Sequence, residues 1–519
     1  MAWLKYDPNA SGGQYLEDLA TAYWYSDTLF TALNLGLFDF LDRSPNATTA
    51  DMAESLNLDE GALLRFLKLL KSLDLVDRYE GTWYNTQLSS DYLVVGRPLY
   101  QGGNIRWREE LQGDWSTLRD VLAAGTRTHF PTATVSESEM EARRLDYLKA
   151  MDAVISLKIP EILPLLGEAI PPNARILDVG AGSGGFTTSL LAAYPQAQAT
   201  LMDIRQILPH TRTLVETYPP DISRRIRYVD QNILEDPWQE AAHYDLIILS
   251  NIVHAYSEAE MALVLKNAAA HLAEDGLMLL HDFYTDHWEI KSRLSDINML
   301  VNTYNGRAYD STWVTQALKG LGLATTGLTP LDSDTSIVFA SASRKTLDAL
   351  SLDPVAQLIP VIRALGFTEA IPFAPRDVVV TDFAQNKCRF GCNSYDKKHC
   401  SRNHELSPGK TQSLINTYTR ALLLKGEPPT GDFQRQCLAA EAAAFKSGYY
   451  KAFIYWAGPC SICPNCDLSE PCTNHKHSRP SMEGSGIDVF ATVSAVGETL
   501  KTLKEKGEVI KYYALLLLE

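Results

Sequence analysis

The spacing of apolar positions divides this chain into three stretches. In the first, Leu16, Leu19, Tyr23, Phe30, Leu33 and Leu35 recur at helical intervals, which predicts amphipathic helices. "TTADMAESLNLDEGALLRFLKLLKSLDLVDRYEGTWYNT" then reads as helix, turn and helix, followed by a short hairpin around Glu80-Gly81. That is a winged-helix pattern. Its second helix, "DEGALLRFLKLLKS", sets three cations against two acids and is otherwise mostly Leu. A helix of that kind is expected to be buried or at a subunit interface rather than in a DNA groove.

The second stretch, 172–343, alternates helical segments with apolar runs: "ARILDVG", "QATLMDI", "RIRYVDQN", "YDLIILSN", "GLMLLHDF" and "SIVFASAS". Apolar strands at such intervals predict an α/β fold with a parallel, doubly wound, Rossmann-like sheet covered on both faces. Residues 342–352 read as a junction. The third stretch holds all eight cysteines, at 388, 392, 400, 437, 460, 463, 466 and 472. The expected domains are therefore a helical winged unit over 1–110, a ligand-binding α/β unit over 111–345, and a cysteine-rich α+β unit over 353–519.

Bulk composition narrows the function. A length of 519 residues suits two or three domains, and 45% hydrophobic with 21% charged residues is ordinary for a globular protein. A net charge of −16 argues against a general nucleic-acid or anionic-membrane binder. The N-terminus lacks a basic region followed by an apolar run, and no stretch approaches the roughly 18 apolar residues of a membrane helix. A cytoplasmic location is the expectation. In that compartment, clustered cysteines favour metal ligation over disulfides.

"ILDVGAGSGGF" places Gly180, Gly182 and Gly184 between a strand and the helix "FTTSLLAAY". Such glycines let the backbone turn tightly and approach a ligand beside a helix N-terminus. Asp203 ends the next strand, where a carboxylate can accept hydrogen bonds from ribose hydroxyls. Asp178, two residues before the first glycine, puts an acid near the ligand's charged end. It would repel a pyrophosphate but attract the ammonium of a methionine moiety. The combination favours S-adenosylmethionine over a dinucleotide.

On these motifs, residues 12–343 resemble the class I O-methyltransferases of the plant caffeic-acid and acetylserotonin type. The resemblance implies a winged N-terminal domain that makes an intertwined homodimer, and a cofactor site at "DVGAGSGGF" and "LMDI". It also implies that Asn232, in "YVDQNILEDPW", stands where the family's acid binds adenine, and that Ser250 lines the cofactor site. His254, in "LSNIVHAYSEAE", matches the catalytic base, and a His suits proton removal from a hydroxyl or thiol. The chain departs from the family nearby. Ala255 replaces the Asp after that His, His281 stands at the family's acid on the next strand, and Ala308 or Tyr309 replaces a further acid.

Cys460, Cys463 and Cys466 form C-x2-C-x2-C, with Cys472 after a gap of five residues. This approaches the bacterial ferredoxin spacing and favours an iron–sulfur cluster of the 4Fe-4S kind, with zinc as the alternative. Cys388, Cys392 and Cys400 form a second group of three thiols. It suits a further cluster with one open iron, or with a fourth ligand such as His399, His404 or Cys472. Cys437 lies in a helix-like stretch and is expected to be a buried thiol. Residues 355–519 also resemble a family of small prokaryotic predicted metal-binding proteins, through "GYYKAFIYWAGPCSICPNC" and through Arg479, Pro480, Ser481, Met482, Glu483, Gly486, Ile487 and Asp488. That resemblance implies metal binding and no particular reaction.

The joint expectation is a dimeric methyltransferase acting on a small acceptor through O, S or activated C. Its tail would bind, reduce or deliver that acceptor and draw on an electron donor as partner. The alternative makes the tail an iron–sulfur redox or sulfur-transfer enzyme on a dimerising, ligand-binding scaffold.

Overall fold

The computed structural model describes residues 13–130, 135–395, 397–399, 407–426, 430–463, 465–500 and 511–519, with backbone alone at Thr430 and Gly431. Cys400 and His404 lie outside the described residues. The chain forms two compact units, Met1–Ser351 and Leu352–Glu519.

In the first unit, helix Thr49–Leu56 opens on a reciprocal capping box between Thr48 and Asp51, which satisfies two otherwise orphaned backbone donors. Helix Glu60–Ser72 buries Leu63, Leu67 and Leu70, one stripe of its surface. Strands β1 (Val76–Tyr79) and β2 (Thr82–Asn85) pair as an antiparallel hairpin. Trp83 of β2 is buried and its indole donates to Thr49 Oγ1 at 3.0 Å, tying the wing to the helices. Upstream, Leu16, Leu19, Tyr23 and Trp24 are all exposed, the first of them 66%. They give helices Gly13–Thr21 and Tyr23–Asn34 an open apolar face.

The rest of this unit is a seven-stranded sheet in the order β5-β4-β3-β6-β7-β9-β8. Its members are β3 (Arg175–Val179), β4 (Gln198–Asp203), β5 (Ile226–Asp230), β6 (Tyr244–Ser250), β7 (Leu272–Asp282), β8 (Ala324–Pro330) and β9 (Ser336–Ser341). Strands β3 to β7 are parallel, as expected from their unbroken apolar runs. The sheet is nevertheless mixed: β9 runs antiparallel to both β7 and β8. The few residues between β8 and β9 cannot make the crossover that parallel pairing needs. β8 itself gave no signal in the apolar pattern. Its "ATTGLTP" is rich in Thr and half-buried, and its register slips between Thr325 and Leu328, as at a bulge. Strand order reverses between β3 and β6, so the crevice at their carboxyl ends is where a ligand belongs in an open α/β sheet.

The second unit is built on a four-stranded antiparallel sheet, ordered β10-β11-β13-β12. The strands are β10 (Glu369–Phe373), β11 (Ala421–Gly426), β12 (Phe453–Tyr455) and β13 (Tyr512–Leu517). Their side chains alternate between two cores. Leu422, Leu424, Ala514 and Leu516 pack with helices Pro354–Arg363 and Thr430–Lys446 on one face. Ala421, Leu423, Tyr513, Leu515 and Leu517 pack with Ile415, Met482, Ile487 and Val493 on the other. Burial on both faces explains why these strands are apolar at consecutive positions. Cys437 is buried within the first of these cores, and burial pushes its thiol well up.

Candidate functional site

The ligand loop follows β3. Gly180 and Ala181 donate their N–H groups to Met202 O at 2.8 and 3.1 Å, which folds the loop against the end of β4. Gly182 and Gly184 adopt φ of +54° and +79°, a region that costs other residues strain. They differ in what lies beside them. A Cβ at Gly184 would come within 3.0 Å of Leu201 and Val215, whereas at Gly182 the nearest side chain is Leu148 at 3.6 Å. Gly184 therefore serves close packing of helix Gly185–Ala193, and Gly182 keeps the outer face of the loop open.

Asp203 closes β4 and reaches back to the loop. Its Oδ2 accepts from Gly182 N at 2.9 Å and its Oδ1 from Ile204 N at 2.8 Å. Burial pushes its carboxyl above the ordinary range, opposed by those two hydrogen bonds. Each oxygen keeps a further lone pair for a ribose hydroxyl. Tyr147 and Tyr256 stand close enough for the Asp203 charge to raise their phenols, after burial as the main cause. Arg108 faces Tyr147 and Asp334, and loss of hydration pulls its guanidinium down.

Asp178 is turned inward. One oxygen accepts from Thr187 Oγ1 at 2.7 Å, and burial drives its carboxyl up to about 7. Asn232 follows β5 and is exposed. Its Oδ1 accepts from Leu234 N at 3.0 Å, which leaves its NH2 group to donate elsewhere. Ser250 ends β6 with its Oγ 2.9 Å from His281 Nδ1, and His281 Nε2 lies 2.8 Å from Thr335 Oγ1. His281 is fully buried, and burial pulls its imidazole down to about 4. It is a neutral link between strands rather than an acid.

His254 sits in the short turn Val253–Ala255 after β6. Its Nδ1 is 2.5 Å from Asp282 Oδ1, and its backbone N–H donates to Asp282 Oδ2 at 3.2 Å. The Asp282 side chain is 1% exposed and that of His254 14%. Carboxylate capture of Nδ1–H leaves Nε2 with its lone pair directed away from Asp282. Sequence comparison placed the expected acid at position 281. Successive residues of a strand face opposite ways, so in β7 His281 turns to Ser250 while Asp282 turns to His254. The alternation of "LLHDFY" was the available signal. Ala308 and Tyr309 are both buried, and the Tyr309 hydroxyl donates to Tyr256 O at 2.7 Å, well away from acid chemistry.

In the second unit, Cys460, Cys463, Cys466 and Cys472 line one cavity together with Lys398, His399, Ile462, Asn474 and Ser478. Two amides point at the sulfurs: Asn474 Nδ2 lies 3.0 Å from Cys463 Sγ and Gln434 Nε2 lies 3.5 Å from Cys460 Sγ. Four thiols on one wall, with N–H donors directed at sulfur, fit a thiolate-held metal centre. As the side chains stand, no three His, Cys, Asp or Glu among the described residues converge to metal-bonding distance. Of the ligands considered for the upstream group, His399 has its Nε2 2.6 Å from Asp467 O, and Cys472 belongs to the Cys460 cavity. Cys388 and Cys392 lie on helix Asp382–Gly391 and its C-cap.

Comparison with known proteins divides the chain in the same way. Residues 17–95 match the O-methyltransferase dimerisation domain, 147–327 a methyltransferase domain, and 372–518 the family described as predicted metal-binding protein. A 3-hydroxy-5-methyl-1-naphthoate 3-O-methyltransferase of Streptomyces sahachiroi is 26% identical over 322 residues, covering 59% of this chain and 88% of the relative. The acetylserotonin O-methyltransferase of Homo sapiens is 26% identical over 305 residues, or 56% of this chain and 86% of the relative. Among solved structures, human N-acetylserotonin methyltransferase in complex with SAM aligns with a TM-score of 0.55 and 22% identity, over 63% of this chain and 96% of its own. The pyocyanin biosynthetic protein PhzM aligns with a TM-score of 0.55 and 21% identity, over 64% and 100%. These structures share the fold, a mixed central sheet beside an N-terminal dimerisation domain.

Proposed function

We propose, for a chain that is an S-adenosylmethionine-dependent methyltransferase with a dimerisation domain and a predicted metal-binding tail, that it methylates a hydroxyl of a small molecule with His254 as general base. The observation that carries this reading is the 2.5 Å contact of His254 Nδ1 with the buried Asp282 Oδ1. A hydroxyl is a poor nucleophile until its proton leaves, and a positioned imidazole typically contributes about 10²–10⁴ in rate. Asp282 holds the ring so that Nε2 takes that proton while the oxygen attacks. S-adenosylmethionine, when bound, supplies a methyl group on a positively charged sulfur. Gly180, Gly182 and Gly184 would bind its amino-acid part, Asp203 its ribose and Asn232 its adenine, with Asp178 and Ser250 supporting the loop and the strand end behind it.

The open apolar face of Leu16, Leu19, Tyr23 and Trp24 supports a homodimer, because a face of this size is usually covered in solution. In the tail, Cys460, Cys463, Cys466 and Cys472 would hold an iron–sulfur centre. Such a centre, bound, exchanges single electrons, and the tail would bind the acceptor or set its oxidation state using a separate electron donor.

The test is methyl transfer by the full chain, prepared without oxygen and reconstituted with iron and sulfide. Labelled S-adenosylmethionine is supplied with a panel of small phenols and hydroquinones, and products are identified by mass spectrometry. O-methylated product from the wild type, lost in His254→Ala with cofactor binding retained, is expected. Equal rates in the two proteins would overturn the assignment of the base.

A further inference from the structure

The carboxyl edge of the large sheet also carries a group of cations that proton removal by His254 does not use. Lys158 of helix Glu137–Ile162 is 6% exposed, and its Nζ donates to Asp334 Oδ1 at 2.7 Å. Lys291, in helix Glu289–Asn302, has its Nζ 3.7 Å from Asp334 Oδ2. Burial alone would raise the Asp334 carboxyl, but Lys158 and Lys291 outweigh it and hold it below its ordinary value. Asp334 borders the end of β7 that carries the partner of His254. Thr335, the next residue, has its Oγ1 2.8 Å from His281 Nε2, and Ser336 stands opposite Asp282 in the pairing of β9 with β7.

Arg108 approaches from helix Gly102–Trp115. Trp115, seven residues on and so on the same stripe of that helix, donates its indole N–H to Asn298 Oδ1 at 2.9 Å. Asn298 lies seven residues beyond Lys291. Arg108 and Lys291 therefore belong to the facing stripes of two helices that are tied together. Arg108 is exposed to solvent, yet the surrounding protein strips enough hydration to pull its guanidinium down, with Asp334 and Tyr147 opposing. Such a group stands inside a crevice that is open to water. Among the described residues Arg108, unlike Lys158 and Lys291, has no ion pair or hydrogen bond. Nearby acids do not claim it: Glu161 accepts from Ser333 N at 3.1 Å, and Asp332 is exposed.

We infer that the acceptor is a small hydroxy acid, whose carboxylate is held by Arg108 with help from Lys291 while its hydroxyl faces His254. This rests on the methyl-transfer reading and names the substrate class of that same site. A guanidinium pairs a carboxylate through two parallel N–H···O bonds, which fix orientation as well as adding affinity. A carboxylate could also reach Arg108 from the amino-acid end of S-adenosylmethionine. The glycine loop follows β3, however, whereas Asp334 lies between β8 and β9, beyond β6 and β7 in the sheet. Three strand spacings, roughly 14 Å, separate them. That separation favours the acceptor.

The test uses the full chain and paired probes, each a phenolic carboxylic acid and its primary amide. Affinity is read by calorimetry on protein loaded with S-adenosylhomocysteine, so that it does not depend on turnover, and kcat/KM is read wherever methylated product forms. Wild type is expected to bind the acids about 10- to 100-fold more tightly than the amides. Arg108→Gln should erase most of that gap, and Arg108→Lys should keep part of it. Cooperative thermal unfolding reports that each variant is folded, and its affinity for S-adenosylmethionine should match that of wild type. No preference for the acids in wild type, or a full preference in folded Arg108→Gln, would overturn the inference. So would an equal loss of S-adenosylmethionine affinity in Arg108→Gln, because the guanidinium would then hold the cofactor's carboxylate. A preference for acids that persists in His254→Ala supports the inference even where the assignment of the base fails.

Discussion

The carboxyl edge of the large sheet and the cysteine loops of the tail are both built to hold something, but they are prepared to different degrees. At the sheet edge the groups meet already: Asp203 grips Gly182, Asp282 grips His254, and Ser250 and Thr335 bracket His281. In the tail, four thiols share a wall without converging among the described residues. An organic cofactor is bound by backbone and side-chain positions that strands fix in advance. A metal draws its ligands into a geometry that its own bonds enforce. One site selects by shape held ready, the other by ligand chemistry.

The sharpest way to break this contrast is to damage each site and watch the other. Gly184→Val, meeting Leu201 and Val215 at 3.0 Å with a positive φ, should destabilise the first unit by about 3 kcal/mol and abolish cofactor binding. Metal content should be untouched. Chelation of the tail should do the reverse, with unchanged affinity for S-adenosylmethionine by calorimetry. If stripping the metal also removed cofactor affinity, the two sites would not be independent.

Within the sheet edge, His254→Ala should lower turnover by about 10²–10⁴. Asp282→Asn should lower it by up to about 10⁴, because an amide can donate to Nδ1 and leave the wrong nitrogen protonated. Cofactor affinity should be unchanged in both, measured by titration calorimetry. An unaffected kcat in Asp282→Asn would mean that the pair only packs.

The smallest effect is a tilt in stability with pH. Folded Asp178 keeps its proton up to about pH 7, against 3.8 for a free aspartate carboxyl. The folded chain thus binds more protons between these values, and this group's contribution to stability falls as pH rises through that window. His281 acts oppositely: its folded value of about 4 lies below 6.5, so the unfolded chain binds more protons and stability falls as pH drops from 6.5 towards 4. Urea midpoints should become steeper on the acid side in Asp178→Asn and shallower in His281→Asn. Parallel pH profiles for the two variants would contradict both assignments.

What could be read from sequence follows the same division. The glycine loop and the apolar parallel strands were legible because backbone geometry dictates their residue types at fixed spacing. The positions of Asp178 and Asp203 beside that loop were legible from their spacing to it. The partner of His254 was not, since choosing between His281 and Asp282 needs the facing of one strand. β8 escaped because Thr and Gly at a bulge carry no alternation. The tail sheet was obscured for a different reason: β11 and β13 bury both faces, so their Leu runs have no period.

The two-sided sheet of the tail has one more implication. With Leu422, Leu424 and Leu516 in one core and Leu423, Leu515 and Leu517 in the other, most of its cohesion is apolar and owes nothing to thiolate bonds. Zinc fingers, by contrast, collapse when emptied. This module can therefore leave the ribosome, fold and persist as an apoprotein, taking up its metal as a late maturation step when a cell can supply it.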